Sequence, residues 1–196
     1  MNYLAHLYLA DTTHDSLVGQ LLGDFVKGAA VQDFDTAIQG AIRFHRKIDS
    51  FSDAHALTRA SRNRISPQWR RFAGIMVDVC YDHFLARSWG RFSDEALPDF
   101  VRRMYGHLQE NRSRLPEAAE RVLNRMVFYD WLGSYGDLNK VGIALDRVAS
   151  RLTRGERFLG AIADIRANYR ALQNDFLAFF PDLIDFARTF KQNEKG

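Results

Sequence analysis

The chain is poor in the features that several common architectures depend on. One cysteine, Cys80, among 196 residues excludes an intrachain disulfide framework and fits a reducing compartment. Four prolines and no Ser/Gly-rich or low-complexity tract leave nothing that reads as a linker, so residues 1–196 are taken as one domain. No run of about 18 uninterrupted apolar residues exists, which excludes a spanning helix. The opening MNYLAHLYLADTTHD lacks a basic flank and meets Asp11 early, unlike a secretory signal, so a cytoplasmic protein with no membrane partner is expected. Strand signals are also missing: no alternating apolar and polar run, and no Asn-Gly or Asp-Gly turn. There is no phosphate-binding Gly-rich loop, dinucleotide fingerprint or nucleophile elbow. Net charge is +3 with a pI near 9.1, a mild excess that favours acidic partners without demanding nucleic acid.

What is present is helical periodicity over an ample apolar content, 46% of residues, enough to offset ordering entropy. Ile38, Ala41, Ile42, His45, Ile48 and Asp49 fall on one stripe at three-and-four spacing. Ile75, Asp78, Val79, Asp82, Leu85 and Trp89 form a second. Phe158, Ile162, Ile165, Tyr169, Leu172, Phe176 and Phe179 form a third, with Thr153 and Glu156 as a capping box at its start and Pro181 expected to end or kink it. The patterns predict helices over about 2–10, 14–28, 34–52, 54–64, 68–90, 94–112, 117–132, 137–152 and 156–190. The fold class is all-α, a single-domain bundle.

Polar residues inside these stripes carry the functional signal. Asp24 lies among Leu17, Leu21 and Gly28 on its predicted helix face. His45 and Asp49 are one turn apart, as are Asp78 and Asp82, and side chains at that spacing share a face. Carboxylates turned toward a core cost several kcal/mol unless paired or bound to a cation. Mixed His and Asp ligation without thiolate suits Mn²⁺, Fe²⁺, Mg²⁺ or Zn²⁺. Buried salt bridges are the competing account, Asp49 with Arg46 or Lys47 for instance. His6, in the apolar NYLAHLYLA with Asn2 as its cap, is a core histidine or a functional one. His14, His55 and His107 lie on polar stretches and receive no role. Cys80 reads as a packing residue.

Arginine clusters. Arg59, Arg62, Arg64, Arg70 and Arg71 precede the Asp78/Asp82 helix, and Arg102, Arg103, Arg112 and Arg114 form a second group. They are either a solvated surface or a docking patch for an acidic partner. Trp69 and Phe72, interleaved with the first group, fit a core stripe better than a base-stacking surface, so nucleic acid is disfavoured.

N-Y-L-A-H-L (Asn2 to Leu7), L-L-G-D-F-V-K-G (Leu21 to Gly28), H-R-K-I-D (His45 to Asp49) with Asp53, and D-V-C-Y-D-H-F-L (Asp78 to Leu85) together resemble the acyl carrier protein phosphodiesterase family, distantly related to the HD metal-dependent phosphohydrolases. The match continues more loosely through Trp131 to Tyr135, Ala149 to Arg151 and the aromatic C-terminal helix. The resemblance implies an HD-domain-like bundle of about eight or nine helices. It also implies a hydrolase that removes 4′-phosphopantetheine from the serine of holo acyl carrier protein to give the apo form. The contiguous His-Asp dyad of the wider superfamily does not occur in that order; Asp82-His83 and the spaced His45…Asp49 stand instead. On this reading a divalent cation, Mn²⁺ before Mg²⁺ or Fe²⁺, activates a water for in-line attack. Asp24, His45, Asp49, Asp78 and Asp82 form the ligand pool, fewer than all binding directly. His83 or His6 is the general acid. Arg46 clamps a phosphate oxygen or holds a carboxylate, and Asp53 supports the ligands from one turn beyond Asp49. Arg59, Arg62, Arg64, Arg70 and Arg71 receive the acidic carrier, whose long arm enters a groove between helices. Two other readings remain open: an HD-like phosphohydrolase of a small nucleotide, and a non-catalytic module that binds an acidic protein.

Overall fold

An α-helix that is apolar on every side can only be stable in the middle of a bundle. In the computed structural model, which describes residues 1–10, 13–149 and 159–194, the segment Ala73–Arg87 takes that place. The helices in chain order are α1 (Tyr3–Leu9), α2 (His14–Leu22), α3 (Thr36–Ala54), α4 (Ala56–Arg64), α5 (Ala73–Arg87), α6 (Leu97–Glu110), α7 (Glu117–Phe128), α8 (Trp131–Ser134), α9 (Leu138–Ala149), α10 (Ile162–Ala167) and α11 (Tyr169–Asn193), joined by short 3₁₀ turns. Among the described residues there is no strand. The fold is all-α.

α5 touches α1, α4, α9 and α11, and buries Met76, Val77, Cys80, Tyr81, Phe84 and Leu85 completely. Around it, α2 lies along α3, α4 lies on α11, and α1 contacts both α2 and α5. The buried apolar side chains form one continuous cluster running from Met1 to Ala187. No described helix is long and apolar enough to cross a membrane.

Several elements differ from the expected pattern, among them the 117–132 segment, which divides into α7 and α8, so that eleven α-helices are described where about eight or nine were expected. α2 stops at Leu22 rather than near residue 28, because the chain turns at Gly23 and passes through Gly28 at φ +58° into a 3₁₀ turn. A side chain at Gly23 would meet the ring of His45, with Cβ only 2.2 Å from Cγ, and one at Gly19 would meet Ala41 of α3 as closely, so both glycines let α2 and the turn after it close on α3. Asp24 is thereby taken off the helix face and leads the turn, half-exposed. The C-terminal segment breaks at Asn168 into α10 and α11, and α11 then runs through Pro181 without ending. An internal proline costs about 3 kcal/mol, but Phe179, Phe180 and Leu183 are fully buried on both sides of it and pin the helix to the core. The proposed Thr153/Glu156 cap, Phe158, and Ser150 and Arg151 lie outside the described residues.

Candidate metal centre

α1, α3, α5 and the turn after α2 bring their polar side chains to one place. Asp82, fully buried on α5, accepts the backbone N–H groups of Leu4 (2.7 Å) and Ala5 (3.2 Å), the second and third residues of α1. A carboxylate from another helix thus caps α1, as the unsatisfied amides and dipole of a helix start favour. Burial pushes the Asp82 carboxyl up to about 7, against the pull of those amides and of the Met1 amino group. The cap fixes the rotation of α1, and so aims His6.

His6 meets α3. Its ring stacks on that of His45, centroids 3.9 Å apart at 13°. His6 Nε2 lies 3.1 Å from Asp49 Oδ1 and His45 Nε2 lies 3.2 Å from Asp49 Oδ2, so one carboxylate faces both imidazoles. Asp24 Oδ1 lies 3.5 Å from His45 Nε2 on the other side. The Met1 amino group bridges Asp49 Oδ1 (3.4 Å) and Asp78 Oδ1 (3.3 Å). Burial opposes its charge, but Asp78, Asp49 and Asp82 outweigh that and hold it at about 10. Among the described residues, no arginine or lysine pairs with Asp24, Asp49, Asp78 or Asp82.

The buried Gln20 of α2 decides what His6 presents. Its amide Nε2 donates to the Ala41 carbonyl (3.2 Å), leaving Oε1 to accept from His6 Nδ1 (3.2 Å). A neutral His6 therefore carries its proton on Nδ1 and turns a bare Nε2 lone pair to Asp49, an arrangement that repels unless a positive species lies between. A proton on His6 is disfavoured, since burial and then the neighbouring His45 lower its pKa below 6.5. A metal cation would satisfy both groups. His6, His45 and Asp49 each offer a ligand atom within 4.8 Å of the others, two imidazoles and a carboxylate with Asp24 at the edge, a donor set that fits a divalent first-row metal. Asp49 is held well below the usual carboxylate range: burial works against the charge, and the His45 and His6 contacts prevail. His45 is raised to about 9, burial being overcome by Asp24 and Asp49; its buried Nδ1 has no hydrogen-bond partner among the described residues.

Asp24 and Asp78 form the edge of this cluster that lines a cavity of about 480 Å³, whose other walls include Met1, Tyr3, Trp131 and Tyr135. The lining is chiefly apolar.

Other residues singled out in the sequence stand elsewhere. His83 gives Nδ1–H to the Tyr135 carbonyl (2.6 Å) and accepts the Tyr169 hydroxyl at Nε2 (3.0 Å), occupying both nitrogens behind the cavity wall. Arg46 is exposed and donates to the Val26 carbonyl (2.7 Å), holding the turn after α2. Asp53 is exposed and bound by Arg62. Arg64 grips the buried Asp175 through two bonds, 2.8 and 3.2 Å. Arg70 bonds Asn63, while Arg59, Arg70 and Arg71 remain exposed without an acidic partner among the described residues. In the second basic group, Arg102, Arg103, Arg112 and Arg114 are all paired with acids. One further group with metal-ligand spacing, His14, His107 and Glu110, lies on the surface. Sequence reasoning missed Gln20 and Gly23. A glutamine inside the apolar run Leu17 to Leu22 was the available signal for the first; nothing local marked the second.

The family profile described as acyl carrier protein phosphodiesterase matches residues 1–183. The chain belongs to the acyl carrier protein phosphodiesterase family. It is 35% identical to the acyl carrier protein phosphodiesterase of Serratia proteamaculans over 96% of this chain and 98% of the relative. Identity is 34% to that of Yersinia enterocolitica, with the same coverage, and 34% to that of Escherichia coli, over 95% and 97%. No solved structure matches the chain.

Proposed function

We propose that the protein is a metal-dependent hydrolase that cleaves the phosphodiester joining 4′-phosphopantetheine to the serine of holo acyl carrier protein. Water supplies the oxygen that ends on phosphorus, and the serine oxygen leaves with a proton to give the apo carrier. The family match and its named relatives support the substrate. The observation that carries the metal is the bare Nε2 of His6 turned to Asp49, beside acids that no arginine or lysine neutralises among the described residues. That pattern also disfavours a module whose carboxylates are neutralised by arginines, since the cations beside them are the Met1 amino group and His45.

His6, His45 and Asp49 would hold the ion, with Asp24 and Asp78 on the cavity side. Nitrogen donors favour Mn²⁺ or Fe²⁺ over Mg²⁺. Bound there, the ion supplies charge against the phosphodiester oxygens and lowers the pKa of a water toward 7. The chain's own contribution is placement: Asp82 fixes α1, Gln20 fixes the tautomer of His6, and Gly23 admits the ring of His45. The proton for the leaving serine falls to the cavity side, since both nitrogens of His83 are already engaged. Exposed Arg59, Arg70 and Arg71 would steer an acidic carrier by long-range attraction, an effect on association rate that salt weakens.

The test is incubation with holo carrier protein and Mn²⁺, followed by intact mass. The expected result is a carrier lighter by its prosthetic group, and no loss when a chelator is present. A protein that neither binds Mn²⁺ nor gains melting temperature from it would refute the metal assignment.

A further inference from the structure

The cleaved bond dictates where the carrier protein must sit. The phosphorus is one ester bond from the serine oxygen, so the carrier's folded surface has to come within a few ångströms of the cluster. A folded protein cannot enter a cavity of about 480 Å³. Its body must cover the mouth.

That mouth has an unusual surface. Among the described residues four large apolar side chains stay exposed, Phe128, Tyr129, Ile143 and Leu159. Tyr129 and Ile143 line the cavity while remaining 46% and 51% exposed, and the adjoining Phe128 is 80% exposed. Phe128 and Tyr129 are ordered edge to face, centroids 4.8 Å apart at 88°. The turn behind them is built firmly. Asp130 adopts φ +46°, a left-handed conformation costly for a residue with a side chain, and is held there because its carboxylate accepts Gly133 N–H (3.2 Å) and the Tyr105 hydroxyl (3.3 Å). Scattered exposed apolar residues need no explanation, but a preordered aromatic pair at the rim of a cavity has the composition of a binding hot spot. Lys140 lines the same cavity, and Arg125 lies one turn before Phe128 on α7. Both are exposed, and neither has an acidic partner among the described residues.

We propose that Phe128, Tyr129, Ile143 and Lys140, with Arg125 beside them, form the seat on which the acidic acyl carrier protein docks, apolar side chains of the carrier meeting the aromatic pair and its acids meeting Lys140 and Arg125. The proposal rests on the carrier-protein reading above. It separates two roles: the rim of the cavity holds the carrier, and the arginines around α4 attract it from a distance. Contacts at the centre of an interface act mainly on dissociation, whereas peripheral charges act on association.

The test measures binding and cleavage separately. Titration of holo carrier protein into wild-type enzyme, Phe128→Ser and Lys140→Glu should show Kd raised about tenfold in each variant, chiefly through faster dissociation, with melting temperatures close to wild type because both sites are exposed. Arg70→Glu with Arg71→Glu should slow association and flatten its salt dependence, with little change in dissociation. Unchanged Kd in Phe128→Ser and Lys140→Glu would overturn the proposal. So would a wild-type dimer that Phe128→Ser dissolves, since the patch would then serve a second copy of the chain, and so would a wild type that does not bind the carrier. A wild type that binds the carrier through this rim yet never removes the arm would leave the seat standing and overturn the hydrolytic reading.

Discussion

Gln20 shows how far a single side chain can determine a site it does not enter. Bound to the Ala41 carbonyl on one side and His6 Nδ1 on the other, it leaves His6 only one neutral tautomer. Gln20→Leu removes the acceptor, and partners of this kind are worth about 10- to 100-fold in metal affinity. Mn²⁺ titration should show a loss of that size, Gln20→Glu should recover most of it, and the ¹⁵N shifts of the His6 ring should report the change of tautomer without any assay of turnover. Cys80 gives a contrasting prediction. Burial alone drives its thiol far above the usual range, so a thiol reagent should label it only after denaturation. His83 sets a pH dependence. Burial lowers its pKa below 6.5, partly offset by the bond to the Tyr135 carbonyl, so below about pH 6.5 the unfolded chain takes up a proton that the folded one resists. Stability contributed by neutral His83 is full above that pH and is lost on acidification. Melting curves from pH 7.5 to 5 should fall less steeply for His83→Gln than for wild type.

Among the elements, the helices with a clean apolar period were legible from the sequence, and the places where tertiary packing overrode local signals were not. The stripes of α3 and α5 led to their helices and to the His45 and Asp49 turn. The early end of α2 was hidden because the ring that leaves no room for a side chain at Gly23 comes from α3, which no local pattern records. Pro181 was expected to end or kink the helix because its cost is local, while the burial that offsets it is not. The same blindness affected Asp82, whose place on a helical stripe says nothing of its bonds to α1. The Asp82→Ala variant leaves the N–H groups of Leu4 and Ala5 buried without an acceptor, at about 1–3 kcal/mol each. Thermal melts should show a drop of at least several degrees, and Asp82→Asn, which keeps one acceptor oxygen, should lose less.

At the scale of the molecule, the sequence pointed to a helical fold and to a neighbourhood for chemistry, but not to the surface that faces a partner. Arg62 and Arg64 looked like free cations in a basic run, yet their acids, Asp53 and Asp175, come from α3 and α11. The exposure of the aromatic pair at the end of α7 was not legible, because nothing in the sequence distinguishes a buried Phe from an exposed one. What carries over reliably from sequence is what a single helix face can express; ion pairing and exposure belong to the assembled bundle.

The capping of α1 from α5 has one more consequence. A helix of seven residues is too short to persist by itself in water, so the loop of chain that delivers His6 is folded only while it stays clipped to its neighbour. Loss of the ion and fraying of this end would then be the same event viewed from two sides. Deuterium uptake at the amides of Leu4 and Ala5 should quicken when Mn²⁺ is stripped and slow again when it is restored, making the first turn of the protein a gauge of whether its centre is charged.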